Sequence, residues 1–161
     1  MIDQMREQIE LSLQTFMVRI KKDYKLHLIS PILYNSIKEF CLRKGKRIRP
    51  LLLILSYKGY CAKNKKISKS IYNASTCIEL LHNFMLIHDD IIDRSDLRRG
   101  KPTLHRILSK IEKTNEVDKL GSDLGIIAGD IVYALALDAF LSIKEKAQRK
   151  ERGLKYFIQT A

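Results

Sequence analysis

Glycine and proline are scarce in this chain, with 7 Gly and 3 Pro in 161 residues. That leaves little material for closely spaced tight turns, and long stretches repeat their apolar residues at 3.6-residue spacing. The two observations together predict an all-α protein. Cysteine is equally sparse: Cys41, Cys61 and Cys77 are far apart and no C-x-x-C occurs. This spacing argues against a zinc or dithiol motif and reads as reduced, packed thiols of a cytosolic protein. No stretch approaches the roughly 18 uninterrupted apolar residues of a membrane span. Asp3 and the lack of an apolar run ending in small residues argue against a signal peptide. The expectation is a soluble, cytoplasmic chain without stable membrane insertion.

Acid is missing too. Between Glu39 and Glu79 there is none, while ten Lys or Arg fall there, and the whole chain carries 30 − 18 = +12. Such a balance suits nucleic acid or an anionic membrane surface. The aromatic residues are not interleaved with the basic ones as a stacking platform, so no nucleic-acid partner is expected. With 45% hydrophobic residues the chain is long enough to bury one real core.

What is there centres on Glu79 to Leu104. The run Ile71 to Ile92 lacks Gly and Pro and keeps an apolar stripe, which places Asp89, Asp90 and Asp93 near a helix end. Asp89 and Asp93 then share one face, with Asp90 about 100° round, and His82 lies on that face roughly 10.5 Å earlier. Carboxylates one turn apart, without thiols or a histidine cluster, suit Mg²⁺, which takes one or two carboxylates and fills its octahedron with water and phosphate. Arg98 and Arg99 fit the phosphate half of such a ligand set. The plainer alternative is an exposed acidic helix end followed by a charged loop. Acids at a helix C-terminus oppose its dipole, which weighs against a purely structural role.

A second constellation is Gly45-Lys46-Arg47-Ile48-Arg49-Pro50. Gly45 is expected to stop one helix and Pro50 to start the next, where proline loses no intrahelical bond. Lys46 and Arg49 thus stand near a helix start, whose orphan N–H groups also favour phosphate. A solvated basic turn is the alternative. Elsewhere, Ile2, Met5, Ile9, Leu13, Phe16, Met17 and Ile20 form an amphipathic helix over residues 2–25 that covers the core or a partner. Lys21, Lys22 and Lys25 at its end leave a membrane-surface role as the sharper alternative. Ser30-Pro31 reads as an N-cap with proline at the first helical position. Residues 63–69 read as an exposed loop, and Lys110 to Asp123 as a charged segment with little apolar pattern, a solvent loop or mobile flap. Ile126-Ile127-Ala128-Gly129-Asp130 opens an apolar helix through Ala134, Leu137 and Leu141, with small residues for close packing. The charged run Lys144 to Arg152 ends that helix, and an apolar-periodic segment begins at Gly153.

D-D-I-I-D-R-S-D-L-R-R-G-K-P-T resembles the first aspartate-rich motif of the trans-isoprenyl diphosphate synthases, the polyprenyl synthetases. G-K-R-I-R-P resembles the upstream motif of the same family, in the expected order. The resemblance covers essentially the whole chain but only the N-terminal portion of a family member, so residues 1–161 are expected to be part of a single helical bundle of the isoprenoid synthase type. It implies condensation of isopentenyl diphosphate with an allylic diphosphate to a farnesyl or geranylgeranyl product. Lys46, Arg49, His82 and Arg99 would bind the first diphosphate and Arg98 the allylic one. Asp89 and Asp93 would carry Mg²⁺, with Asp90 in support and His88 a hydrogen-bonded structural neighbour. Phe84, five residues before Asp89, and Met85, one turn before it, would limit product length. Homodimers are usual in the family. The second aspartate-rich motif and later lysines of complete members are missing, so the chain by itself is expected not to turn over. A non-catalytic helical subunit would share these features, and a class I terpene cyclase would share only the acids.

Overall fold

The longest apolar stretch free of Gly and Pro becomes the axis of the protein. This computed structural model describes residues 1–61, 66–110 and 117–160, and its elements in chain order are α1 (Ile2–Tyr24), α2 (Leu26–Ile29), α3 (Pro31–Cys41), α4 (Ile48–Tyr60), α5 (Lys69–Ile92), β1 (Leu97–Arg98), β2 (Lys101–Pro102), α6 (Leu104–Leu108), α7 (Val117–Leu141) and α8 (Ala147–Thr160). Helix α5 presents Cys77, Leu80, Leu81 and Ile87 to Ala128, Val132, Leu135, Ala136 and Ala139 of α7, and all nine are buried in one core. Leu13, Phe16, Met17 and Ile20 of α1 close that core, while Met5 and Ile9 form a second cluster with Leu51 and Ile54 of α4. The apolar stripe of α1 is therefore used for packing, as its spacing predicts, except that Ile2 is exposed.

Helices α1 and α5 run parallel: Met5 and Ile9 pack with Ile71 and Tyr72 near the start of α5, and α4 runs opposite to both, its Arg47 reaching Glu10 and Glu79 and its Lys58 reaching Met1. Ser12 Oγ lies 2.9 Å from Thr76 Oγ1, and Arg19 shares a cleft with Lys69, Tyr72 and Asn73. Ser30 caps α3, its Oγ accepting from the Leu33 N–H at 3.3 Å with Pro31 behind it.

Close approach of α7 rests on glycines one turn apart. A Cβ on Gly121 would lie 2.6 Å from the His105 carbonyl oxygen, one on Gly125 2.9 Å from Ile91 Cδ1, and one on Gly129 would strike the His88 ring. These glycines cost helix propensity and permit the contact. The span Lys119–Leu141 is long and apolar enough to cross a membrane by length and composition, but its small-residue face packs on α5 as a core helix does.

Four boundaries differ from the pattern in the sequence. Helix α7 is described from Val117, so the charged stretch up to Asp123 is helical and not loop, Gly121 and Gly125 seating these turns on α6 and α5; residues 111–116 of the expected loop, and 62–65 of the earlier one, lie outside the described residues. Helix α8 starts at Ala147 rather than Gly153, its charges forming an outer face while Phe157 inserts into the core. Helix α3 ends at Cys41, before Gly45, and α4 begins at Ile48, so Pro50 is its third residue, still within the turn that needs no N–H. The loop after the acids folds into a two-residue hairpin, Leu97 opposite Pro102 and Arg98 opposite Lys101.

Candidate functional site

A cleft of about 410 Å³ opens where the Lys44–Arg49 segment meets Glu79 and His82 of α5 and Arg99 of the hairpin. Arg47 sets its shape. That residue adopts a left-handed conformation (φ 49°) at the cap of α4 and turns its guanidinium inward. There it donates to Glu10 Oε1 at 2.7 Å and Oε2 at 3.1 Å, to the Arg43 carbonyl at 2.8 Å, and to Glu79. Burial works against its charge, but the two carboxylates outweigh it and hold Arg47 above its ordinary value. With Arg47 directed inward, its neighbours Lys46 and Arg49 remain exposed at the cleft.

Arg99 arrives from the hairpin tip. Arg99 and Gly100 both have positive φ, 55° and 73°, the pattern of a two-residue type I′ turn. Its guanidinium lies over Gly45, where a Cβ would stand 2.6 Å from Nη1. Gly45 thus makes room for the movable guanidinium of Arg99 and does not stop a helix, since α3 has already ended at Cys41. Arg49 Nη1 comes within 3.2 Å of His82 Nε2, so the imidazole accepts and is neutral there. Its pKa falls from 6.5 to about 4, by burial first and then by Arg49, Arg99, Arg98 and Arg47. Among the described residues Glu79 is the one acid lining the cleft, and it is already paired with Arg47. The remaining cations converge without an anion, which is the electrostatic signature of an anion site.

The histidine makes a pH prediction. The unfolded chain takes up its proton near 6.5, whereas the folded site resists until about 4. Its contribution to stability is complete above the first value and lost as pH falls through that window. In His82→Asn the acid-side loss of melting temperature should be smaller between these pH values and unchanged above them; identical curves for both proteins would refute the assignment.

The three acids separate. Asp89 and Asp93 are exposed, Asp93 as the helix cap with its N–H on the Asp89 carbonyl at 2.8 Å. Asp90 is buried, its Oδ1 accepting from Arg98 Nε at 2.6 Å while Oδ2 is enclosed without a partner. Burial raises its pKa, opposed by Arg98. Arg98 is therefore first a clamp between the acidic helix end and the hairpin, and only its Nη edge is left for a ligand. Among the described residues no three His, Cys, Asp or Glu side chains gather as a metal site. Two exposed carboxylates one turn apart do match the small protein share of a Mg²⁺ shell completed by phosphate and water.

Phe84 and Met85 are half-buried against the main core. The Phe84 ring stands 4.7 Å from that of His88 and 5.0 Å from that of Tyr133. His88 is not the hydrogen-bonded neighbour the sequence suggests: its Nε2 is 3.6 Å from Asp130 Oδ1, and the ring is seated on Gly129 by packing. The structure thus brings Lys46, Arg49, His82 and Arg99 into one cleft, and joins Arg98 to Asp90 instead. Sequence reasoning missed Glu10, Arg47 and Glu79. Glu79, a lone carboxylate inside an apolar helical run, was the available signal.

Residues 30–160 match the sequence profile described as polyprenyl synthetase. A short chain isoprenyl diphosphate synthase from Methanocaldococcus jannaschii is 35% identical over 145 residues, 90% of this chain and 36% of that protein. A geranylgeranyl diphosphate synthase from Sulfolobus acidocaldarius is 37% identical over 106 residues, 66% of this chain and 27% of the relative. The chain therefore spans roughly a third of the length of these relatives. Among solved structures, the geranylgeranyl pyrophosphate synthetase of Pyrococcus horikoshii superposes with a TM-score of 0.73 at 27% identity, over 98% of this chain and 41% of that one. The geranylgeranyl pyrophosphate synthase of Corynebacterium glutamicum, complexed with isoprenyl diphosphate and magnesium, gives 0.74 at 29% identity, over 91% of this chain and 43% of its own.

Proposed function

This chain belongs to the polyprenyl synthetase family, and from that membership we propose that it is the diphosphate-gathering part of a short-chain trans-prenyl diphosphate synthase of the geranylgeranyl or farnesyl type. The observation that carries the reading is the cationic cleft, its one described acid already paired with Arg47, where Lys46, Arg49, His82 and Arg99 converge from a helix start, a helix face and a hairpin tip. The same helix α5 that carries His82 ends in Asp89 and Asp93 two turns on. Two polyanionic substrates can thus be held side by side on one rigid element.

In this reading the four cleft residues hold the diphosphate of isopentenyl diphosphate, and the Nη edge of Arg98 meets that of the allylic partner. Asp89 and Asp93 hold Mg²⁺, which when bound stabilises the charge growing on the departing pyrophosphate. The allylic C–O bond breaks, and its electron pair leaves with pyrophosphate. The double bond of isopentenyl diphosphate then forms the new carbon–carbon bond to the allylic carbon. Loss of one proton restores an alkene longer by five carbons. Orientation is this chain's contribution, since two substrates fixed on one helix escape most of the entropy of meeting. Phe84 and Met85 lie before Asp89 on the path a growing tail would follow. The reading extends to a cytoplasmic homodimer at the relatives' length. A terpene cyclase would have no use for a cationic cleft that holds a second diphosphate.

The test is incubation with radiolabelled isopentenyl diphosphate, an allylic primer and Mg²⁺, sizing the products of the protein completed to its relatives' length. Farnesyl or geranylgeranyl diphosphate is expected, with longer chains from Phe84→Ala. The 161-residue chain by itself should bind pyrophosphate without turnover. Failure of both forms to bind pyrophosphate would sink the reading.

A further inference from the structure

Lys21, Lys22 and Lys25 close α1, and among the described residues none of the three has an ion-pair partner. The one acid between them, Asp23, is engaged by Arg19 at 3.3 Å. The chain then makes a sharp corner. Lys25 takes a left-handed conformation (φ 51°), α2 lasts a single turn, and α3 sets off from Ser30. On this corner Leu28 is 70% exposed, Ile29 81% and Ile32 50%. These side chains are largely uncovered, whereas Met5, Ile9, Leu13, Phe16, Met17 and Ile20 on the core stripe of α1 are buried.

We infer that the α1–α2–α3 corner is a docking surface for an anionic lipid bilayer. Three features favour lipid over a protein partner. The exposed apolar group at the corner is three side chains, too few for a stable protein interface, which needs about 1,000 Å² or more. A collar of unpaired lysines beside it supplies the charge complementarity that anionic headgroups require, each lysine near such a surface contributing a factor of about five. Shallow insertion of Leu28 and Ile29 with lysines at headgroup level is how interfacial segments bind.

The corner is anchored beside α7, where Tyr24 donates to Asp138 Oδ1 at 2.9 Å and Leu26 lines a cleft with Ile131, Ala134 and Leu135. Among the described residues, none that lines the cationic cleft belongs to it. The docking does not depend on the function proposed above.

Vesicle flotation tests it, using phosphatidylcholine alone and phosphatidylcholine with one third phosphatidylserine. The protein should float with the anionic vesicles only, and should be released near 1 M salt, where screening is complete within about 3 Å. Lys21→Gln/Lys22→Gln/Lys25→Gln should weaken binding about a hundredfold, and Leu28→Ser/Ile29→Ser about tenfold or more. Both sets change only exposed residues, so unchanged far-UV spectra and pyrophosphate binding should accompany the loss. Equal flotation on neutral vesicles, no flotation on either, or variants that float like the parent would overturn the inference. So would a Leu28→Ser/Ile29→Ser protein that loses self-association while the parent ignores vesicles, since the face would then belong to a second copy.

Discussion

Arg47→Met is expected to destabilise the protein by about 3–5 kcal/mol, the range for breaking one side of a buried ion pair. The Arg47 side chain is 1% exposed and that of Glu79 2%, so removal of the guanidinium leaves a carboxylate with neither counter-ion nor water. Glu10 is 27% exposed and can turn to solvent, which limits its share of the loss. For a domain of this size the melting temperature should fall by about 6–20 °C. The double variant Arg47→Met/Glu79→Gln separates burial from pairing. It should recover part of the loss, because the stranded charge is what costs most. Urea unfolding of the parent, the single and the double variant gives the coupling directly. A single variant within 1 kcal/mol of the parent (about a factor of five in the folding equilibrium) would show that the triad is not the keystone of this cleft.

The second large effect is on ligand. Arg49→Gln should weaken pyrophosphate binding about 10- to 150-fold, the equivalent of one charge-assisted hydrogen bond at about 1.5–3 kcal/mol. The exposed Arg152→Gln, remote in sequence from the cleft, should change it little. Lys46→Gln should behave like Arg49→Gln but with a smaller loss, because an ammonium meets phosphate as a point charge and not as a fork. The two losses need not add, since both side chains serve one ligand. Asp89→Asn provides the contrast: it should remove the increment that Mg²⁺ gives to binding and leave metal-free binding intact. Calorimetric titration with and without the metal distinguishes these cases. Equal affinities for the Arg49→Gln and parent proteins would disconnect the cleft from diphosphate.

Much of the site could be read before any coordinates because its chemistry is local in sequence. Asp89 and Asp93 share a face by helical periodicity alone, and the helix continues to Ile92 as the uninterrupted apolar stripe requires. The Ser30 cap, the stripe of α1 and the extent of α5 follow from residue type and spacing, because each depends on neighbours three or four positions away. What stayed hidden depends on partners far along the chain. Nothing near Arg47 distinguishes it from Lys46 or Arg49. Only Glu10 and Glu79, 37 and 32 residues away, make it the inward-facing cation and the other two the exposed ones. The same holds for Arg98, bound to Asp90, against Arg99 at a turn that only its positive φ creates.

The sequence by itself determined the helical class, the identity of the long acidic helix and the two clusters of ligand-seeking side chains, because periodicity and charge are properties of short stretches. Tertiary structure decided the division of labour within each cluster, the helical state of the charged turns around Gly121 and the solvation of the α1–α2 corner. Those depend on which surfaces meet, and burial sorts like charges into paired and free by desolvation energies that no local pattern encodes.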